Sequence, residues 1–127
     1  MADLRSVLIV EDDPHTLSGY LELLTSAGFE PSGASNGTDA LKTALERPPG
    51  AVVTDISLPG MSGFSLAEAL RFDERTRNVP VIGLTAHWTL DVRTRATNVG
   101  MRAVLLKPCV PAHLIAELKR VLAAAGV

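Results

Sequence analysis

The chain of 127 residues has one cysteine, Cys109. It therefore forms no internal disulfide and no cysteine-based metal cluster, and it fits a reducing, intracellular setting. Aromatic residues make up 4% of the chain, and Trp88 is the single tryptophan. Neither sign of charge is in large excess: the formal net charge is -2, and no basic stripe stands out. That argues against direct nucleic-acid binding. No apolar run approaches the roughly 20 residues needed to span a membrane. The first residues do not form an apolar segment behind a basic start. Secretion and membrane insertion are therefore not expected, and a cytoplasmic location is. There is also no internal repeat, linker or low-complexity stretch. The length matches one domain of about 100–150 residues, so residues 1–127 are expected to form a single domain.

What is present is an alternation of short apolar runs and helical patterns. Residues 5–10 form a run of the buried-strand type that ends in Glu11, Asp12 and Asp13. Asp13 before Pro14 predicts a helix start, with Asp13 as cap and Pro14 at the first helical position. Leu17, Leu21 and Leu24 follow at helical spacing, and Gly28 ends the helix. Residues 29–35 read as a weaker strand, placed at an edge by Pro31. Ala40, Leu41, Ala44 and Leu45 make a helical face stopped by Pro48, Pro49 and Gly50. A strand over 51–55 ends at Asp55, followed by a loop carrying Pro59, Gly60 and Gly63.

Leu66, Ala67 and Leu70 pattern a third helix, and the polar stretch 71–78 reads as a loop. Residues 79–85 predict a fourth strand, 89–99 a poorly amphipathic helix, and 103–106 a fifth strand ending at Lys107. Leu114, Ile115, Leu118, Val121 and Leu122 form the clearest helical stripe. Five strand–helix units with short, near-continuously apolar strands imply an α/β fold. Its parallel sheet is covered by helices on both faces.

In such a sheet the carboxyl ends of the strands share one edge, where chemistry sits. Glu11 and Asp12 come from the first strand, Asp55 from the third, Thr85 from the fourth and Lys107 from the fifth. Three carboxylates held close together repel one another unless a cation joins them. A hard divalent ion such as Mg²⁺ takes oxygen ligands and keeps sites for water or phosphate oxygens. A lysine, a hydroxyl and a metal around a carboxylate point to phosphoryl transfer onto Asp55.

These residues carry a resemblance to a known family. Val7–Pro14, then Thr54–Gly63, then Leu84-Thr85-Ala86, then Leu105–Pro108 occur in order, each at a strand end. In this the chain resembles the receiver domain of two-component response regulators over essentially its whole length. The resemblance implies a flavodoxin-like (βα)5 fold with strand order 2-1-3-4-5. Asp55 matches the phosphoacceptor. Asp12 matches the acid that binds Mg²⁺ (or Mn²⁺) directly, and Glu11 its partner acting through water. Ser57 matches the position that gives a backbone carbonyl to the metal and lies near the phosphoryl group, and Ala86 the small residue beside that group. Thr85 matches the switch hydroxyl, and Lys107 the phosphoryl-pairing lysine. The Lys107–Pro108 peptide is implied to be cis.

The implied partners are a sensor histidine kinase or histidine phosphotransfer protein, and a downstream protein. The downstream partner would dock on the fourth helix, fifth strand and fifth helix. Val104 departs from the family, which often has an aromatic residue there. His87 matches a position that in the family tunes access of attacking water, and Trp88 follows it on the output side that the resemblance implies. Arg93, Arg95 and Arg102 are candidates for positive charge on that surface. No DNA-binding or catalytic segment follows Val127 in this sequence: a whole protein ending there is expected to be a stand-alone receiver, and an excised domain would have its output elsewhere.

Plainer readings stand beside these. Asp13 is better explained as a cap than as a ligand, and His15 and His113 as solvated side chains. A hydrolase with an aspartyl-phosphate intermediate needs a second acid two residues after the nucleophile, where this chain has Ser57. A flavodoxin-like cofactor site wants phosphate-binding donors in the first loop, where this chain has acids. An interaction module that works without phosphorylation remains the alternative, because of Val104. No independent substrate turnover is expected.

Overall fold

A computed structural model describes residues 3–125, with side chains from 5 to 124. Five strands alternate with five helices: β1 (Asp3–Val10), α1 (Pro14–Ser26), β2 (Glu30–Ala34), α2 (Gly37–Glu46), β3 (Pro49–Asp55), α3 (Gly63–Phe72), β4 (Val81–Thr85), α4 (Leu90–Asn98), β5 (Ala103–Leu106) and α5 (Pro111–Ala125). All pairings are parallel, in the order β2-β1-β3-β4-β5. This is the expected flavodoxin-like architecture, with Pro31 on the edge strand.

Because side chains alternate across a strand, the apolar runs feed two cores. Val7, Ile9, Val53, Ile82 and Leu84 pack with Leu24 of α1 and Leu114, Leu118, Val121 and Leu122 of α5. Leu8, Val10, Val52 and Val81 face Ala40 and Ala44 of α2 and Leu66, Ala67 and Leu70 of α3. A third, smaller cluster joins Ile56, Phe64 and Ala96, with Val92, Met101 and Val104 against it. It fastens α4, whose one fully buried residue is Ala96.

Some boundaries differ from the sequence reading. β3 begins at Pro49, not at 51, because Pro49 pairs with Asp3 beyond an irregularity in the β1–β3 register. A strand's first residue is a position where proline is tolerated. β4 begins at Val81, although the Pro80 carbonyl already accepts from the Val52 N–H at 2.9 Å. The 73–78 segment is an organised turn. Arg75 grips both carboxylate oxygens of Asp73, at 3.0 and 2.9 Å. The buried Thr76 hydroxyl donates to the Leu70 carbonyl at 2.6 Å. No helix among the described residues is long and apolar enough to cross a membrane.

Candidate functional site

The four strand ends that carry polar groups meet at one edge of the sheet. Glu11 follows β1 directly, and its N–H extends the β1–β2 ladder to the Ala34 carbonyl at 3.0 Å. Asp55 closes β3, Thr85 closes β4, and Lys107 follows β5. The Lys107 N–H donates to the Thr85 carbonyl at 2.7 Å, so these two ends are locked side by side. The Lys107–Pro108 peptide is cis, as the resemblance implied. Behind Asp55, the Gly63 N–H donates to the Ile56 carbonyl at 2.9 Å and folds the 56–63 loop back onto the strand end.

Carboxylate oxygens of Glu11, Asp12 and Asp55 lie within 4.8 Å of one another. Lys107 Nζ donates to Glu11 Oε1 at 3.1 Å and to Asp55 Oδ2 at 3.2 Å. Glu11 and Asp55 are 3% and 7% exposed, so this is a partly desolvated cluster in which charges interact strongly. Burial pushes the Glu11 carboxyl above its usual range, and the Asp55 charge adds to this. The Asp13 amide and Lys107 oppose that shift without cancelling it. Burial also works to lower the Lys107 pKa, but its hydrogen bonds to Glu11 and Asp55 outweigh it, so the ammonium is held above its ordinary value.

One ammonium among three carboxylates leaves two negative charges without a counterpart, which suits a hard divalent cation. Both Glu11 oxygens are engaged, by Lys107 and by the Asp13 N–H at 3.2 Å. Asp12 is exposed and makes no hydrogen bond among the described residues, so its oxygens are the most open to an ion. The donor set of Glu11, Asp12 and Asp55 therefore fits a divalent ion such as Mg²⁺ or Mn²⁺.

The other sequence candidates fall around this cluster. Asp13 caps α1, accepting from the Thr16 N–H at 2.9 Å and hydroxyl at 2.6 Å. These bonds hold its carboxyl below the usual range. Ser57 and Ala86 lie exposed just past Asp55 and Thr85. The Thr85 hydroxyl is engaged with the His87 backbone, while the side chains of His87 and Trp88 are exposed. His15 and His113 are exposed, as expected of solvated residues. Val104 is half-buried and pairs across to Gly83 of β4, on the Ile56–Phe64–Ala96 cluster.

Two features escaped the sequence reading. Arg95 does not simply extend into solvent: its guanidinium sits 4.4 Å from the centroid of the Phe64 ring. Arg102 lies at the turn before β5, beside Arg71 and Arg77, and not with Arg95. Both placements arise where segments distant in the chain come together, which local periodicity cannot reveal.

The comparisons with known proteins agree with this geometry. The response regulator receiver domain profile matches residues 7–119. The chain is 38% identical over 120 residues to transcriptional regulatory protein PrrA of Mycobacterium tuberculosis, covering 94% of this chain and 51% of PrrA. It thus spans about half the length of that relative. It is 32% identical to the polar-differentiation response regulator DivK of Brucella abortus, covering 91% of this chain and 94% of DivK.

Among solved structures, chemotaxis protein CheY4 of Vibrio cholerae superposes with a TM-score of 0.88 at 29% identity, over 95% of this chain and 98% of that one. The receiver domain of sensor histidine kinase PA1611 from Pseudomonas aeruginosa, which has a magnesium ion in its active-site cleft, superposes with a TM-score of 0.86 at 30% identity. That match covers 93% of this chain and 97% of the other. With its profile match, its sheet order and the acid–lysine cluster at the strand ends, the chain belongs to the response regulator receiver domains of two-component systems.

Proposed function

We propose that Asp55 accepts a phosphoryl group from a phosphohistidine of a sensor histidine kinase or a histidine phosphotransfer protein. The observation that carries this is the placement of Asp55. It is nearly buried at a strand end, 3.2 Å from Lys107 Nζ and within reach of Glu11 and Asp12. An Asp55 carboxylate oxygen attacks phosphorus, the P–N bond breaks, and its electron pair returns to the donor imidazole. Lys107 neutralises charge on the transferring oxygens and holds Asp55 in line. Mg²⁺ or Mn²⁺, when bound, would supply further neutralisation of the phosphoryl charge. Asp12, Asp55 and the Ser57 carbonyl would hold it, with Glu11 acting through water. Ala86 leaves room beside the phosphoryl group.

The phosphorylated state then favours a different position of Thr85 and of the third hydrophobic cluster around Val104. The surface of α4, β5 and α5 changes its affinity for a downstream protein, as a shift of population. Water later attacks phosphorus and the bond to Asp55 breaks, with His87 flanking its approach. This is a switch with self-catalysed phosphorylation and dephosphorylation, and not a turnover enzyme. We read residues 1–127 as one receiver domain acting in the cytoplasm, away from membrane and nucleic acid.

Incubation with acetyl phosphate and Mg²⁺, followed by intact-mass spectrometry, tests the reading. Wild type should gain one phosphoryl mass, and Asp55→Asn none. An unmodified wild type would favour the alternative, an interaction module that works without phosphorylation, which Val104 in place of an aromatic residue keeps in view.

A further inference from the structure

A cleft of about 190 Å³ opens at the amino-terminal end of β4, the end of the sheet remote from Asp55. Arg71 from the end of α3, Arg77 from the 73–78 turn and Arg102 from the turn before β5 all line it. Leu70, Thr76, Val81 and Val99 are among its other lining residues.

The chain has nine arginines. Arg5, Arg75 and Arg120 pair with carboxylates, and Arg95 stacks on Phe64. Among the described residues, none of Arg71, Arg77 and Arg102 has a carboxylate oxygen within 4.0 Å or a side-chain hydrogen bond. Three uncompensated cations thus converge on one concavity in a protein of net charge -2.

Their backbones are anchored. The Arg102 N–H donates to the Val81 carbonyl at 2.9 Å. The turn carrying Arg77 is pinned by the buried Thr76 hydroxyl and by the Val79 N–H donating to the Thr76 carbonyl at 3.0 Å. Arg71 lies over Gly100, where a Cβ would come within 3.1 Å of its Nη1. The guanidinium groups are presented by fixed backbone and left without protein acceptors.

We infer that this cleft binds a phosphate-bearing small anion through Arg71, Arg77 and Arg102. Guanidinium forks match phosphate oxygens in pairs. A cleft of about 190 Å³ suits one or two phosphoryl groups, free or at the end of a nucleotide. The inference is independent of phosphorylation at Asp55.

Nuclear magnetic resonance titration of the ¹⁵N-labelled chain, without divalent cations, tests it with three probes: pyrophosphate, ADP and sodium chloride of matched ionic strength. Pyrophosphate should give saturable shifts at Arg77, Gly100 and Arg102 that the chloride does not reproduce. An equal response to ADP assigns the site to phosphate groups alone. A stronger response to ADP assigns it to a nucleotide; either supports the site.

Arg77→Gln with Arg102→Gln should weaken pyrophosphate binding by about tenfold or more, as expected for loss of two charge-assisted contacts. Asp55→Asn and the exposed Arg47→Gln should bind as wild type. Three results would each overturn the inference: no saturable shift at these residues, an equal response to chloride, or undiminished binding by the double variant while its spectrum remains folded.

Discussion

The Thr85 hydroxyl is bound to the backbone of His87: it donates to the His87 carbonyl at 3.0 Å and accepts the His87 N–H at 3.1 Å. Any inward movement of Thr85 toward Asp55 must break both bonds and release the segment that leads to α4. Trp88, the next residue, is 51% exposed and reports on that segment. Its fluorescence should change when Mg²⁺ and a phosphoryl analogue are added. Thr85→Val, which keeps shape and removes the hydroxyl, should reduce that change several-fold and cost about 1 kcal/mol of stability for the lost hydrogen bonds. An unaltered Trp88 response in Thr85→Val would separate the loop from the switch.

Gly63 begins α3 directly against Asp55. A Cβ there would lie 2.5 Å from the Asp55 carbonyl oxygen and 2.8 Å from the Ile56 Cα. Both obstacles are backbone, which cannot rotate aside as a side chain can. Gly63→Ala should therefore destabilise the fold by about 1–3 kcal/mol, the range for overpacking, measured by urea unfolding. The strand end that carries Asp55 has to shift in response. Phosphorylation by acetyl phosphate should accordingly slow more than in Gly19→Ala, where the added Cβ meets nothing.

The contrast between Asp55 and Gly63 shows what the sequence could reveal. The position of Asp55 was legible because a buried strand is a continuous apolar run, and its abrupt end at an acid marks the edge where the polar strand ends meet. Glu11, Asp12, Thr85 and Lys107 were legible for the same reason, each standing at such an end. The cap at Asp13 followed from Asp before Pro, a local rule that the Thr16 bonds obey. The start of β3 at Pro49 was not legible, since Pro-Pro-Gly reads as a break until Asp3 is seen to pair with it. Nor was the burial of Thr76, whose partner Leu70 lies across a turn that looks merely polar in sequence. The Arg71–Arg77–Arg102 cleft and the seat of Arg95 depend on packing between segments far apart in the chain.

Cys109, two residues after Lys107, packs against the α1–α5 core. Burial pushes its thiol pKa up from the ordinary value of 9.0, and a weaker backbone hydrogen bond at Leu114 opposes this. The thiolate is the reactive form, so alkylation by iodoacetamide at neutral pH should be slower than for a free cysteine. Its rate should keep rising beyond pH 9, where an exposed thiol has begun to level off. A plateau near or below pH 8.5 would show that the thiol is not held protonated. Unfolding in urea should abolish the difference.

Arg95 and Phe64 join α4 to α3 across the small cluster that also holds Ile56, the residue after Asp55, and Val104. Val104 thus packs on a cluster whose aromatic member, Phe64, comes from α3 and touches Arg95 of α4. Arg95 is exposed, so its attraction to the ring should be about 0.5–1 kcal/mol. A double-mutant cycle with Phe64→Leu and Arg95→Gln, measured by urea unfolding, should return that coupling energy. The same cycle applied to the Trp88 response should show whether the contact restrains α4. If it does, Arg95→Gln alone should shift that response toward the signal of the phosphoryl-analogue state before any analogue is added. If the free protein's signal is unchanged while the stability coupling is present, the contact fastens α4 without biasing the switch.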